Sequence, residues 1–367
     1  MRIQFVLPGA HRVQRGAEVA FEAIAHEIGL LGKDQVTMLG SGDPIPGRSY
    51  GYRRFPAIRR ERFERFPKVP PFRSEYVFEE FSWLLGAARH MRGDADVTVT
   101  CSYPFVNWAL TRSVYKRRPP HVFVTQNGDW PSYSDASEYA LFRCDGLVCT
   151  NPLYFDRNRA RTMSALIPNG VHTDRFLGAS PDRKRWDLPE DRQIVLVVSA
   201  LVDDKRVLEA VRSISTIPDI MLVVAGDGPL RSRFDELAHH LMPDRVRRLS
   251  LQSADMPVLY KSADVLLHPT TWESFGNVYV EAMISGLPVV AHDYEVTRWI
   301  FGNSTELIDA TDESMMANAV ARALERGKSD AADLVSEAAV RFSWTAIARQ
   351  YREFLSEVVG HSRSNQS

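Results

Sequence analysis

Two glutamates stand eight positions apart in the stretch TTWESFGNVYVEAMISGLPVV, Glu273 before a Ser-Phe-Gly-Asn turn and Glu281 inside the apolar run behind it. The turn follows the strand-like DVLLH, and the periodicity predicts a helix beginning near Gly276 or Asn277. The backbone N–H groups of Phe275, Gly276 and Asn277, with Ser274 just ahead of them, would then point outward from a helix start, a place suited to an anion. A carboxylate gains nothing by touching that anion. It can accept hydrogen bonds from neutral hydroxyls to either side of it, such as a sugar and a ribose. Two carboxylates around a diphosphate therefore match the chemistry of a nucleotide sugar.

Other loops that follow strands carry further candidates. After QIVLVVSAL, Lys205 and Arg206 fall just before or at a helix start, where the helix dipole disfavours positive charge. A bound phosphate would account for the pair; a solvated pair is the alternative. VVAGDGPL supplies Gly226 and Gly228, free of side-chain bulk, with Asp227 between them. After the first strand comes PGAHRVQRGAE, where Gly9 and Gly16 allow close backbone approach, although the spacing matches neither G-x-G-x-x-G nor a P-loop. QNGDWP follows another strand and offers Asn127 or Asp129 to a ligand; ordinary turn chemistry explains the same residues.

Strand-like runs alternate with helical patterns almost throughout, which predicts an α/β fold of stacked βαβ units with parallel sheets. The first half reads as six strands (RIQFVLP, QVTML, DVTVTCS, HVFVTQ, GLVCT, SALIPNG), as does the second (QIVLVVSAL, IMLVVAG, VRRLSL, DVLLHPT, LPVVAHD, TELIDA). A chain of 367 residues suits two domains. The polar stretch TDRFLGASPDRKRWDLPEDRQ marks the expected join, giving domains over 1–175 and 190–342. An amphipathic helix over 343–360, with Trp344, Ile347, Tyr351, Phe354 and Leu355 on one face, closes the chain.

Hydrophobic residues at 44% and charged residues at 25% exclude wholesale disorder. The cysteines (Cys101, Cys144, Cys149) are odd in number and lack C-x-x-C spacing, so they read as buried small residues in a reducing compartment rather than as a disulfide frame or zinc site. The opening MRIQFVLPGA reads as a strand rather than a leader, and no apolar run approaches the roughly 18–20 residues of a membrane span. A cytoplasmic setting is expected. The net charge of -1 hides an asymmetry: residues 1–175 hold 24 Lys and Arg against 18 Asp and Glu, and the rest hold 21 against 28. A basic first half suits an anionic partner. Between Arg48 and Arg73 arginines interleave with Tyr, Phe and Pro, a pattern suited to an anionic lipid surface or lipid-linked substrate; a solvated excursion between strands is the alternative. No nucleic-acid module is present in the pattern, so nucleic acid is not an expected partner.

Taken together, Glu273–Ser274–Phe275–Gly276–Asn277, Glu281–Ala282–Met283, Gly286 and Pro288–Val289–Val290 resemble the E-x7-E signature of retaining glycosyltransferase family four. Lys205 after a strand, AGDGP, the IPNGV at Ile167–Val171 and the terminal FSWTAIARQY helix fit the same resemblance. The resemblance implies a GT-B fold, with two Rossmann-like parallel-sheet domains facing across a cleft, acceptor on the first and nucleoside-diphosphate sugar on the second. It implies that Glu281 meets the ribose and Glu273 the transferred sugar, with Lys205 and the backbone of Phe275–Asn277 at the diphosphate. Gly16, Arg206 and the Gly226–Asp227–Gly228 turn complete the donor side. Transfer would proceed with retention and without a metal or other cofactor, to a hydroxyl of a saccharide or lipid-linked saccharide in polysaccharide or glycolipid biosynthesis, in the cytoplasm or peripherally on the inner membrane face. Two departures stand out. Ser199–Ala200 replaces the family's usual Gly-Arg, leaving Arg206 as the candidate substitute. Gln126–Asn127–Gly128–Asp129 replaces a His-Asp pair, leaving Asn127 and Asp129 as candidates for the catalytic contact there, with His11 another loop residue able to approach. A nucleotide-sugar epimerase or hydrolase, and a non-catalytic nucleotide-sugar-binding subunit, are the rival readings.

Overall fold

The computed structural model describes residues 1–13, 16–67, 74–91, 95–112, 118–126, 128–129, 143–303, 305–329 and 331–364. Its strands are β1 Arg2–Val6, β2 Gln35–Gly40, β3 Gly51–Arg54, β4 Val97–Cys101, β5 His121–Val124, β6 Gly146–Cys149, β7 Ser164–Leu166, β8 Gln193–Val198, β9 Ile220–Ala225, β10 Val246–Leu249, β11 Val265–His268, β12 Val289–His292 and β13 Leu307–Ile308. The helices are α1 Gly16–Leu30, α2 Glu75–Ala87, α3 Pro104–Thr111, α4 Pro152–Asn158, α5 Thr173–Leu177, α6 Val207–Ser215, α7 Arg231–Leu241, α8 Met256–Ser262, α9 Asn277–Ile284, α10 Glu295–Phe301, α11 Glu313–Arg326, α12 Ala331–Phe342 and α13 Trp344–Ser364.

The chain forms two units, Met1–Asn169 joined by the stretch from Trp344 onward, and Gly170–Ser343. The first holds a seven-stranded sheet in the order β3-β2-β1-β4-β5-β6-β7, the second a six-stranded sheet in the order β10-β9-β8-β11-β12-β13. Among the described residues every strand pairing is parallel; Val6 lies opposite Leu39 and Thr100, and Leu196 opposite Val223 and Leu266. Parallel strands buried on both faces must be apolar on both, and β8 obeys: Ile194 and Leu196 join one core cluster, Val195 and Val197 another. In the first unit α13 packs on α1, and Trp344, Ile347, Tyr351, Phe354 and Leu355 enter one cluster with Phe5, Phe21 and Ile24. Tyr351 and Leu355 are wholly buried, each contributing roughly 2 kcal/mol of apolar burial.

Three expectations need correction. The join does not lie in 173–193; the units divide after Asn169, because Phe176, Trp186 and Leu188 bind that polar stretch into the second core. The terminal helix runs through Ser364 rather than stopping at 360. The Arg48–Arg73 stretch is not a plain excursion: Gly51–Arg54 is edge strand β3, paired with β2, and its exposed Arg53 and Arg54 blunt the sheet edge. The remainder of that stretch beyond Pro67 lies outside the described residues. Cys101 and Cys149 are buried and Cys144 partly so, all three unpaired.

Candidate functional site

In the second sheet the strand order turns back between β8 and β11, with β9 and β10 to one side and β12 and β13 to the other. Loops leaving the carboxyl ends of two such strands diverge, and open α/β sheets bind ligands in that crevice. Both halves of the expected site stand there. The loop after β8 turns through a 3-10 segment, Asp203–Lys205, into α6; the loop after β11 runs over 269–276 into α9. Buried Thr270 ties them, donating its hydroxyl to the Asp204 carbonyl at 2.9 Å.

Glu273 is the meeting point. The Lys205 ammonium pairs with its Oε1, and His268 Nε2 lies 3.2 Å from the same oxygen. The Tyr294 hydroxyl accepts the Glu273 N–H at 3.1 Å and donates to the Glu273 carbonyl at 3.2 Å, fixing the backbone as well. Burial alone would raise the carboxyl's pKa, but the His268 hydrogen bond and the His268 and Lys205 charges outweigh it and hold the group below the usual carboxylate range. His268 ends β11, is 1% exposed, and meets Tyr279 edge-on with ring centroids 5.0 Å apart. The sequence reading passed over His268 and Tyr294. The available signal was a histidine closing an otherwise apolar strand directly before the candidate loop.

The turn behind Glu273 is held from below. Phe275 is 2% exposed and packs edge-to-face on Trp299 and Phe342 in the second core. Gly276 has φ +79°, and a Cβ there would come within 2.5 Å of the Tyr279 ring, so the position requires glycine. Ser274 and Asn277 flank these two, and α9 starts at Asn277 as expected. Along that helix Glu281 accepts a hydrogen bond on Oε2 from the buried Tyr260 hydroxyl at 2.8 Å. Burial pushes its pKa up to about 7, against the opposing effects of the Tyr260 bond and the Arg175 charge.

Arg206 adopts φ +53° at the start of α6, and its buried Nε has no hydrogen-bond partner among the described residues. Gly226 and Gly228 differ from expectation in what requires them. A Cβ on Gly226 would overlap the Ser199 carbonyl oxygen, and one on Gly228 would lie 2.5 Å from that of Leu201, so both glycines let the β9 turn pack against the β8 loop. Asp227 caps its own turn, accepting the Gly228 N–H at 2.8 Å, with Arg231 3.6 Å away.

The remaining expected residues belong to the first unit. Gly16 opens α1 with its surface exposed. Asn127 lies outside the described residues. Asp129 is buried and its carboxylate is occupied, by the Arg157 guanidinium and by Asn158 Nδ2 at 2.6 Å, so it braces α4 rather than standing free for a sugar. His11, at φ +61°, is stacked on Tyr52 with centroids 4.0 Å apart and lies 2.7 Å from the Tyr50 hydroxyl. Among the described residues, no group of three or more His, Cys, Asp or Glu is placed to hold a metal ion, and no helix is long and apolar enough to cross a membrane.

Solved structures share this two-domain architecture. Sucrose-phosphate synthase from Thermosynechococcus elongatus superposes with a TM-score of 0.79 at 20% identity over 98% of this chain and 99% of its own. Anabaena HepE in complex with UDP and glucose gives 0.73 at 17% identity over 96% and 99%. The fold is thus the expected GT-B type, built of two Rossmann-like parallel-sheet domains. Among curated proteins, the lipopolysaccharide core biosynthesis glycosyltransferase LpsE of Rhizobium meliloti is 27% identical over 204 residues, 54% of this chain and 58% of the relative. The chain spans about half the length of the curated relatives it matches. Residues 179–341, which hold Lys205, His268, Glu273 and Glu281 alike, match the family model of group 1 glycosyl transferases.

Proposed function

We propose that the protein is a retaining glycosyltransferase that moves a sugar from a nucleoside diphosphate to a hydroxyl of a saccharide or lipid-linked saccharide, in polysaccharide or glycolipid assembly. The observation that carries this reading is the pair of carboxylates set around the Phe275–Asn277 backbone. Oε2 of Glu273 and Oε1 of Glu281 accept no hydrogen bond among the described residues, while each carboxylate's other oxygen is held by the protein. Free acceptor oxygens suit sugar and ribose hydroxyls, and the start of α9 between them suits the diphosphate. The match of residues 179–341 to group 1 glycosyl transferases supports the same reading.

In this mechanism Glu281 takes the ribose and Glu273 the transferred sugar. Lys205 has three N–H donors, so it can keep Glu273 while binding a phosphate oxygen. Arg206, with its unpartnered Nε, supplies the second positive charge where Ala200 has none. Together with the first-turn N–H groups of α9, these charges stabilise the departing diphosphate without a metal. The leaving phosphate helps to deprotonate the acceptor hydroxyl as it attacks from the same face. The first unit takes the acceptor.

A thermal-shift screen against UDP, GDP, ADP and their sugars tests the reading, since ligands of the native state raise its apparent stability by mass action. At least one nucleotide is expected to stabilise the protein and its sugar to be turned over. No stabilisation by any of them, and no release of nucleoside diphosphate, would refute it.

A further inference from the structure

We infer that His268 is the positioning residue of Glu273: it holds Oε1 so that Oε2 is the oxygen offered to the transferred sugar. The inference rests on the reading of Glu273 as the sugar's partner. Its grounds are geometric. Glu273 stands in an irregular loop, where its side chain would be free to rotate, and two donors converge on one of its oxygens. They are not equivalent. Lys205 reaches Oε1 along a flexible four-carbon stem at the end of a 3-10 turn, and it has a phosphate oxygen to serve as well. His268 reaches it from the last residue of a central strand, with a ring that is 1% exposed and set edge-on to Tyr279.

The hydrogen-bond inventory sharpens the difference. A carboxylate only accepts, so Nε2 is the donor in this contact. The other ring nitrogen, Nδ1, is buried and has no hydrogen-bond partner among the described residues. Glu273 is therefore the one hydrogen-bonding partner of that ring among them, and a polar ring in such a place has no other polar contact to serve. With Tyr294 bonded to both the N–H and the carbonyl of Glu273, backbone and side chain are each fixed from the core. The carboxylate is then preorganised before any donor arrives, which is what a transition-state contact requires.

The test uses the full chain with UDP-glucose and GDP-mannose as donors and UDP and GDP as ligands. His268→Phe keeps the ring and its contact with Tyr279 but loses the donor; His268→Gln returns an N–H near the Nε2 position. The Phe variant is expected to bind UDP or GDP within about twofold of wild type while kcat with the matching donor falls about tenfold, and the Gln variant to recover to within about threefold. A structural role alone would lower thermal stability, nucleotide affinity and kcat together, without rescue by Gln, and that pattern would overturn the inference. So would an unchanged kcat in a folded His268→Phe protein, which leaves the wider functional reading standing. A wild type that is neither stabilised by UDP, GDP, ADP or their sugars nor able to release nucleoside diphosphate from any of them brings down the functional reading itself.

Discussion

Tyr260 donates its hydroxyl to Oε2 of Glu281 at 2.8 Å, and its ring belongs to the core of the second unit. Burial raises the Glu281 pKa to about 7, above the ordinary value of 4.5. The fold thus favours the protonated form: as pH rises from about 4.5 to about 7, ionising Glu281 costs folding stability, and the cost persists above that window. A carboxylate accepts from ribose hydroxyls more strongly than a neutral carboxyl does. Affinity for a nucleoside-diphosphate sugar, whose diphosphate stays ionised throughout, is therefore expected to rise as pH increases through 7. In Glu281→Gln the rise should vanish and affinity at pH 8 should fall about fivefold to tenfold. Calorimetric titrations at pH 6, 7 and 8 measure this; equal slopes in the two proteins would refute the ribose assignment.

Glu273 behaves in the opposite sense. His268 and Lys205 hold its pKa below the usual range despite burial, so its contribution to stability is complete above the ordinary carboxylate pKa and is lost as pH falls through the lower folded value. It is a charged acceptor across the neutral range. Removing it in Glu273→Ala is expected to cost about 2 kcal/mol of barrier stabilisation, roughly thirtyfold in turnover. Steady-state release of nucleoside diphosphate is the measurement. Turnover equal to wild type would remove Glu273 from the mechanism.

These two carboxylates were legible in the sequence because their spacing is local: a strand, a turn with an obligate glycine, and a helix fix both within the single stretch Val265–Ile284. Strands β8, β9, β11 and β12 of the second sheet were legible for a related reason, since buried parallel strands are continuous apolar runs. Most of what escaped has no local signature. β3 reads GYRR, an edge strand with little buried surface, and it hides among arginines. The 173–193 stretch is polar in composition, and only tertiary packing of Phe176, Trp186 and Leu188 makes it part of a core. Tyr294 reaches Glu273 from the start of α10, a contact made by topology, whereas His268 closes an apolar strand five residues before Glu273 and so does leave a local signal. Gly226 and Gly228 were found, but their reason is a neighbouring loop 27 positions away rather than a ligand.

The arginine-rich stretch supports a narrower membrane proposal than its composition alone. Tyr50 and Tyr52 turn inward onto His11, leaving Arg53, Arg54 and Arg59 exposed with Ile58 and Phe66, which are 48% and 49% exposed. Each arginine near an anionic surface is worth about 1 kcal/mol. Wild type is expected to float with vesicles containing anionic lipid, and to be released by salt. Changing Arg53, Arg54, Arg59 and Arg60 all to Glu should abolish flotation without changing the melting temperature by more than a few degrees. Undiminished flotation of that variant would exclude the segment as the contact.

The last expectation concerns Gly226, where the fold and the candidate site meet. A Cβ at this position would overlap the Ser199 carbonyl oxygen, at the root of the loop that carries Lys205. A methyl group there has no rotamer by which to escape, and what it strikes is backbone, so the β8 loop must shift. Gly226→Ala is expected to lose about 1–3 kcal/mol in denaturant unfolding and to weaken nucleotide-sugar binding as Lys205 moves with its loop. Gly360 serves as the contrast: it lies in α13 with open space where a methyl group would stand, and its replacement by Ala should raise stability by up to about 1 kcal/mol. Equal effects at the two positions, or a Gly226→Ala protein as stable as wild type, would mean that the two loops do not pack as described.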